Sequence, residues 1–297
     1  MASLKDVKVK IGGVKKTKQI TKAMNMVASA KLRGAQQRIE RFRPYADKFF
    51  EMLSDLGGQA DEEAAHPLLA AREEAKTIGI VLVTSDRGLA GSFNINIITA
   101  ALKFAAIKKA EGKDVKFYCI GKKGRDAVRK LGFTIPLDVV GQMGTLNFSM
   151  AASVGNQIID DFLSGTLDEV FMFYGEFISL AKQPPASLPL LPVASAQKEE
   201  EKGESVCQAQ AKDYIYEPDV AGLLAELLPR FVKVQVYRGL LDTSASEHAA
   251  RMAAMDNATK NCDEMISALT LLYNKTRQEA ITTELIDIVG GVEALKG

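Results

Sequence analysis

LKDVKVKIGGVKKTKQITKAMNMVASAKLRGAQQRIERFRPYADKFFEMLSDL, residues 4–56, is the stretch whose reading decides the fold. Stepping alternately by three and four residues, it visits Leu4, Val7, Ile11, Val14, Lys18, Thr21, Asn25, Ala28, Leu32, Ala35, Ile39, Phe42, Ala46, Phe49, Leu53 and Leu56. Thirteen of these sixteen positions are apolar, and the three polar ones (Lys18, Thr21 and Asn25) are consecutive. An apolar repeat of 3.5 residues held over seven heptads specifies a long helix of a left-handed coiled coil. At 1.5 Å per residue it is roughly 80 Å long, about twice the diameter of an ordinary domain. A helix of that length needs another helix to cover its seam.

The C-terminal third supplies one. From Leu241 the same step gives Ala245, His248, Met252, Met255, Thr259, Cys262, Ile266, Leu269, Tyr273, Thr276 and Ala280. Continued back through Leu223, Leu224, Leu227 and Phe231, the pattern predicts a helix from about 219 to 289, roughly 105 Å long. Pro44 and Pro229 are expected to kink or interrupt these helices, since proline removes a backbone donor. Gly290 and Gly291 read as a stop signal.

Between the two helices the texture changes. Ile78–Thr84 (IGIVLVT), Val115–Ile120 (VKFYCI) and Glu169–Tyr174 (EVFMFY) are short apolar runs that read as buried strands. Helical patterns near 94–111, 122–131 and 147–164 alternate with them, which points to a mostly parallel sheet covered by helices. The expected organisation is a coiled-coil helix over 1–56, a connector over 57–76, an α/β domain over 77–205, and a second coiled-coil helix with its lead-in over 206–297. Residues 182–205, where QPPASLPLLP gives way to the charged run Lys198–Glu204, also read as connector. The fold class is α/β: a central, mostly parallel, Rossmann-like sheet domain inserted between N- and C-terminal helices that pair as a long antiparallel coiled coil.

A net charge of +1 hides an asymmetry. Residues 1–56 carry 13 Lys or Arg against 5 Asp or Glu, and no acidic side chain lies between Asp6 and Glu40. Such an arm suits nucleic acid, an acidic protein surface, or a cleaved transit segment; it is also what a solvated helix face looks like. Heptads that continue far past any plausible cleavage point weigh against the transit segment. Cys119, Cys207 and Cys262 are widely spaced with no CxxC pair, which fits reduced thiols rather than a disulfide framework or zinc site. No apolar run approaches the roughly 20 residues that span a bilayer.

Thr84–Asn94 (TSDRGLAGSFN) follows a strand and opens a helix, the place for a phosphate-binding turn. Gly88 and Gly91 make only GxxG, without the dinucleotide fingerprint or a Walker Lys-Ser/Thr pair, so a tight structural connection is the favoured reading. His66 lies beside Glu62 and Glu63 but lacks metal-ligand spacing, and His248 falls on the C-terminal seam. With two histidines and no nucleophile–base pattern, no catalytic, metal or cofactor site is expected. The polar break is the better lead. Lys18, Thr21 and Asn25 are expected to weaken pairing, and Ile20, Met24, Met26 and Val27 beside them make the helix apolar or cationic nearly all round. That texture fits contact on several sides; it also fits a register that loosens near a helix end.

Those same residues carry a resemblance. KQITKAMNMVASAKLRGAQ at 18–36 and SEHAARMAAMDNATKNCDEMISALTLLYNKTRQEAITTELIDIVGG at 246–291 closely resemble the gamma subunit family of F-type ATP synthases. TSDRGLAGSFN and YIYEPD (214–219) match that family in the same order, so the resemblance covers essentially the whole chain. It is similar to the bacterial type, without the cysteine-bearing regulatory insertion of chloroplast members.

The resemblance implies a non-catalytic central-stalk rotor, one copy per complex. It implies alpha and beta subunits in a hexamer, an epsilon subunit and a membrane c-ring as partners, with no nucleic acid and no cofactor. It also implies a peripheral location at the cytoplasmic face of the bacterial inner membrane, reached through the ring. On matching positions, Lys18, Lys22, Met24 and Arg33 would belong to the shaft facing an acidic loop of beta. Arg251, Gln278 and Thr282 would meet a loop of alpha or beta, and Ile286, Ile288 and Val289 would sit in an apolar bearing. Tyr214, Tyr216 and Glu217 would touch epsilon and the ring. Two rivals compete with this reading: a nucleotide-dependent α/β enzyme with dimerising helices, and a coiled-coil nucleic-acid binder that uses the basic arm. Neither accounts for the C-terminal block.

Overall fold

In the computed structural model, residues 4–57, 66–70, 72, 75–193 and 220–295 are described. The elements in chain order are α1 (Leu4–Gly57), β1 (Thr77–Val83), α2 (Phe93–Ala110), β2 (Asp114–Ile120), α3 (Lys122–Lys130), β3 (Thr134–Val139), α4 (Phe148–Leu163), β4 (Glu169–Gly175), β5 (Pro185–Leu191) and α5 (Val220–Ala294). Contacts divide the chain into two units, Met1–Ala28 with Met252–Gly297, and Ser29–Arg251.

The first unit is a helix pair. Lys18 of α1 bonds Asp263 of α5, Thr21 meets Thr259, and Asn25 reaches the Met252 carbonyl. Partner numbers fall as α1 numbers rise, so the helices run antiparallel. Every seam position from Leu4 to Ala28 is buried or half-buried, and so is every one from Met252 to Ala280 on α5. Stepping both seams outward from Thr21–Thr259 sets Val14 opposite Ile266 and Val7 opposite Tyr273. One register therefore serves both seams, as a heptad repeat requires.

The second unit is built on a five-stranded sheet of order β3-β2-β1-β4-β5. The first four strands are parallel and β5 pairs antiparallel with β4. Central β1 is an unbroken apolar run because both of its faces are covered. Ile78, Ile80 and Leu82 face a core made with Phe93, Ile97, Ala101 and Ala105 of α2. Val81 and Val83 face the opposite core, where α4 joins Phe49 and Leu53 of α1 and Leu228, Phe231, Val232 and Val236 of α5. The seam of α1 continues through this unit: Leu32, Ala35, Phe49 and Leu53 are buried, and Phe42 packs edge-on against Tyr237 at 4.9 Å between ring centroids. The side chain of Leu56 lies outside the described set.

Three expectations need correction. The segment 182–191, read as connector, contains β5, and β3 was not expected at all. Both are edge strands carrying proline, which is tolerated where no ladder hydrogen bond is needed, and both are half-exposed, so neither shows a continuous apolar run. Pro44 and Pro229 interrupt neither helix. The helix also runs through Gly290 and Gly291 to Ala294, because an interior glycine costs only about 0.5–1 kcal/mol against alanine. The remainder of the connector over 58–65 and the lead-in over 194–219, with Cys207, lie outside the described residues.

Phe231 is fully enclosed between α1 and the sheet, and Phe231→Ala is expected to lower unfolding stability by about 3–5 kcal/mol. Ile286, 64% exposed, should change by less than about 0.5 kcal/mol on replacement with alanine. Urea unfolding of the purified chain followed by circular dichroism measures both.

Candidate functional site

The polar break in α1 faces the neighbouring helix. A lysine at a seam position reaches past the interface, and the Lys18 ammonium ion-pairs with Asp263, one residue beyond the seam position Cys262. The Thr21 and Thr259 hydroxyls lie 2.8 Å apart, and each also reaches a carbonyl of its own helix, Lys18 at 3.0 Å and Met255 at 2.8 Å. One hydroxyl thus donates across the seam while the other donates along its helix. Asn25 donates its amide to the Met252 carbonyl at 3.0 Å. Thr21 is only 8% exposed, and its hydroxyl is satisfied by Thr259 and by the Lys18 carbonyl of its own helix. The expectation that the break loosens pairing is therefore corrected: each polar side chain of α1 is matched by a polar group on α5.

What this unit presents outward is different. Lys22 is exposed, Met24 half-buried, and Ile20, Met26 and Val27 stand 57–60% exposed. On α5, Gln278 is exposed and its carbonyl accepts from Thr282 at 2.9 Å. Ile286, Ile288 and Val289 are 63–65% exposed, and no described side chain from residue 281 to 292 is covered. An apolar helix end left bare in water is the signature of a surface made for contact.

In the other unit, Arg33 is exposed and Arg251 is not. Arg251 is 9% exposed; its guanidinium donates to Glu247 at 2.6 Å and to the Gly88 carbonyl at 3.2 Å. The i,i+4 spacing with the glutamate first is the favourable helical order. Burial nonetheless pushes the Glu247 carboxyl up, against the pull of Arg251. Burial, reinforced by Arg251, Lys31 and Arg38, lowers His248 to about 4.

Gly88 belongs to the Thr84–Asn94 loop, several of whose hydrogen-bonding groups are engaged inside the protein. Ser85 donates from its backbone to the Asn94 side chain at 3.0 Å, and Thr84 accepts from Gly124 at 2.9 Å. Asp86, a residue the sequence did not single out, accepts backbone N–H groups from Lys122, Gly141 and Met143. Leu89 holds a left-handed φ of 63°, which costs a side chain about 1–2 kcal/mol. The helix after β2 starts against the loop at Gly121, where φ is 98° and a Cβ would lie 2.1 Å from the Thr84 carbonyl oxygen. This loop is a brace between two helices of the fold.

The other candidates resolve in the same direction. His66 accepts a turn N–H from Leu68 at 3.2 Å, while Glu62 and Glu63 lie outside the described residues. A cleft beside Phe42, Arg43, Arg238 and Asp242 holds about 90 Å³, a fraction of the ~300–1,000 Å³ of a small-molecule pocket. Burial raises Asp242 there to about 6. Tyr214, Tyr216 and Glu217 lie outside the described residues.

Comparison with known proteins joins these features. A family model described as ATP synthase matches residues 3–295. The ATP synthase gamma chain of Nitratidesulfovibrio vulgaris strain Hildenborough is 68% identical over 297 residues, with all of both chains covered. The chain belongs to the ATP synthase gamma-chain family. The Lawsonia intracellularis gamma chain is 54% identical over 296 residues, again with full coverage of both. Among solved structures, a chain of the Tetrahymena thermophila mitochondrial ATP synthase central stalk and c-ring aligns with a TM-score of 0.58 at 26% identity, covering 80% of this chain and 99% of that one. A Euglena gracilis mitochondrial ATP synthase chain aligns at 0.67 and 22% identity over 98% and 94%, a likeness of fold. As a member of the gamma-chain family, this chain is a central-stalk rotor subunit of an F-type ATP synthase and is not itself an enzyme; the active sites are on beta subunits. The nucleotide-enzyme and nucleic-acid rivals are set aside on that ground.

The sequence showed the α1 half of the interhelical polar contact but not Thr259 or Asp263. Thr259 was visible only as a seam position, and Asp263 not at all, because register is needed to pair them. Since His248 titrates near 4 when folded and 6.5 is its ordinary value, the folded state binds fewer protons between those values. Stability is thus expected to fall as pH drops through 6.5 toward 4. His248→Gln should remove about 1–2 kcal/mol of that fall after discounting for its partial exposure. The difference between variant and parent in urea melts at pH 7 and pH 4.5 isolates it from Asp242 and Glu247, whose raised values contribute with the opposite sign.

Proposed function

We propose that the helix pair works inside a hexamer of alternating alpha and beta subunits, and that the sheet-bearing unit, with epsilon, bears on a membrane c-ring. Lys18, Lys22, Met24 and Arg33 belong to the shaft region that meets an acidic loop of beta. Arg251, Gln278 and Thr282 belong to a region that meets alpha or beta, and Ile286, Ile288 and Val289 turn in an apolar bearing. Tyr214, Tyr216 and Glu217 form the foot on epsilon and the ring. The observation that supports this most directly is the bare apolar end of α5, which leaves its side chains uncovered from residue 281 to 292. No described helix is long and apolar enough to cross a membrane. The subunit's place is then the cytoplasmic face of a bacterial inner membrane, through the ring, as one copy per complex.

The mechanism is coupling by differential contact. Ion flow turns the ring and the stalk with it, and each stalk orientation stabilises one set of beta-site conformations over the others. Shifting one such equilibrium from 1:99 to 99:1 takes about 5.5 kcal/mol. A single exposed ion pair supplies at most about 1 kcal/mol. The load is shared over many contacts along a stiff element, which two paired helices provide and one helix does not.

Lys22 and Arg33 are exposed and free of the engagement that occupies Lys18, so they test the acidic-loop contact cleanly. Replacing both with glutamate is expected to reduce ATP-driven proton pumping a few-fold per ATP hydrolysed, each lost contact being worth up to about 1 kcal/mol. Fluorescence quenching in inverted membrane vesicles, with hydrolysis assayed in parallel, measures the ratio. An unchanged ratio removes these two residues from the coupling surface.

A further inference from the structure

Three consecutive seam positions of α1 are polar, and each has found a partner on α5 of a different chemical kind. Lys18 meets a carboxylate, Thr21 a hydroxyl and Asn25 a backbone carbonyl. Apolar seams do not discriminate strongly between registers, since Val, Ile, Leu and Ala fit one another after a shift of one turn. The seams here are of that kind: Leu4, Val7, Ile11 and Val14 on one side, Ile266 and Leu269 on the other, most of them only half-buried. Polar groups at a seam do discriminate, because a shift separates specific cross-helix partners, and fixing register is the best-attested use of a polar seam residue.

The arrangement is built to detect displacement in either direction. A shift of one turn moves Thr21 from Thr259 toward Met255 or Cys262, neither of which offers a hydroxyl, and leaves it only the Lys18 carbonyl of its own helix. The same shift separates Lys18 from Asp263 and breaks the Asn25 bond to the Met252 carbonyl. Because Asn25 binds main chain, its partner is the helix itself and not the side chain at 252.

We propose that Lys18, Thr21 and Asn25 are positioning residues that lock α1 and α5 in one register, so that the pair carries torque as a single body. The proposal goes beyond the rotor–hexamer contacts proposed above: these side chains act through α5, whatever they also touch. It adds Thr259 and Asp263 as the receiving half of the lock.

The test uses the full chain, assembled with its partner subunits, in a background with Cys119, Cys207 and Cys262 replaced by alanine. Val14→Cys with Ile266→Cys reports the native register on oxidation, and Val14→Cys with Leu269→Cys or with the native Cys262 restored reports a shift of one turn. Lys18→Leu, Thr21→Val, Asn25→Leu and Thr259→Val together replace the polar break and its threonine partner with apolar side chains, which leaves pairing as stable or more so by circular dichroism melting. In that variant the off-register product should rise from undetectable to about one chain in ten, the upper end of a minor-state population. Pumping per ATP hydrolysed should fall at least as far. Lys18→Asp alone should loosen the register, and adding Asp263→Lys should restore it, which a merely space-filling role would not produce. Native-only cross-linking in the apolar variant overturns the lock. A spread register with full pumping overturns its part in coupling, while the rotor reading itself stands on the family and on the Lys22 and Arg33 variants.

Discussion

The antiparallel seam between α1 and α5 is the interaction on which the rest depends. Each of its described positions is buried or half-buried in the unit to which it belongs. In the helix-pair unit the seam is thin, made largely of half-covered aliphatic side chains. In the sheet-bearing unit the same helices carry Phe49, Leu53, Leu228 and Phe231 into a core shared with the sheet. One repeat thus does two jobs. Where it meets only its partner helix it is supplemented by polar contacts that specify how the two fit; where it meets the sheet, bulk and burial suffice.

The glycine-bearing loop at Thr84–Asn94 shows how physical reading and motif reading can part. Its glycines and its place at a strand end invite a phosphate, yet Ser85, Asp86 and Gly88 are turned to the protein's own side chains and backbone. The Gly88 carbonyl takes a hydrogen bond from Arg251, and Arg251 is held by Glu247 one turn earlier in α5. The Gly88 carbonyl serves a brace that ties the sheet-bearing part to the long helix. A subunit that transmits rotation needs such a tie more than it needs a ligand.

Much of this was legible in the sequence because it is periodic. The heptad seams and the alternation of apolar strands with helical patterns each announce themselves over many residues, and the three buried strands fell close to where IGIVLVT, VKFYCI and EVFMFY place them. The edge strands were not legible, since TIPLDV and PASLPLL are half-exposed and broken by proline. The polar break was visible but misread: Lys18, Thr21 and Asn25 look like defects until register sets Asp263, Thr259 and the Met252 carbonyl before them. The inward partner of Arg251 was equally hidden, since only the fold brings Gly88 to it from far along the chain. What a sequence hides is what non-local pairing decides.

If the two helices work as one torsion-bearing body, joining them covalently in their native register should cost nothing. The most direct measurement closes a Val14→Cys/Ile266→Cys disulfide in the assembled complex and follows ATP-driven proton pumping before and after oxidation. The account predicts unchanged pumping per ATP hydrolysed with the bond closed and again after reduction. Loss of pumping on closure, restored by reduction, would mean that the helices must move past each other during each cycle, and would contradict it.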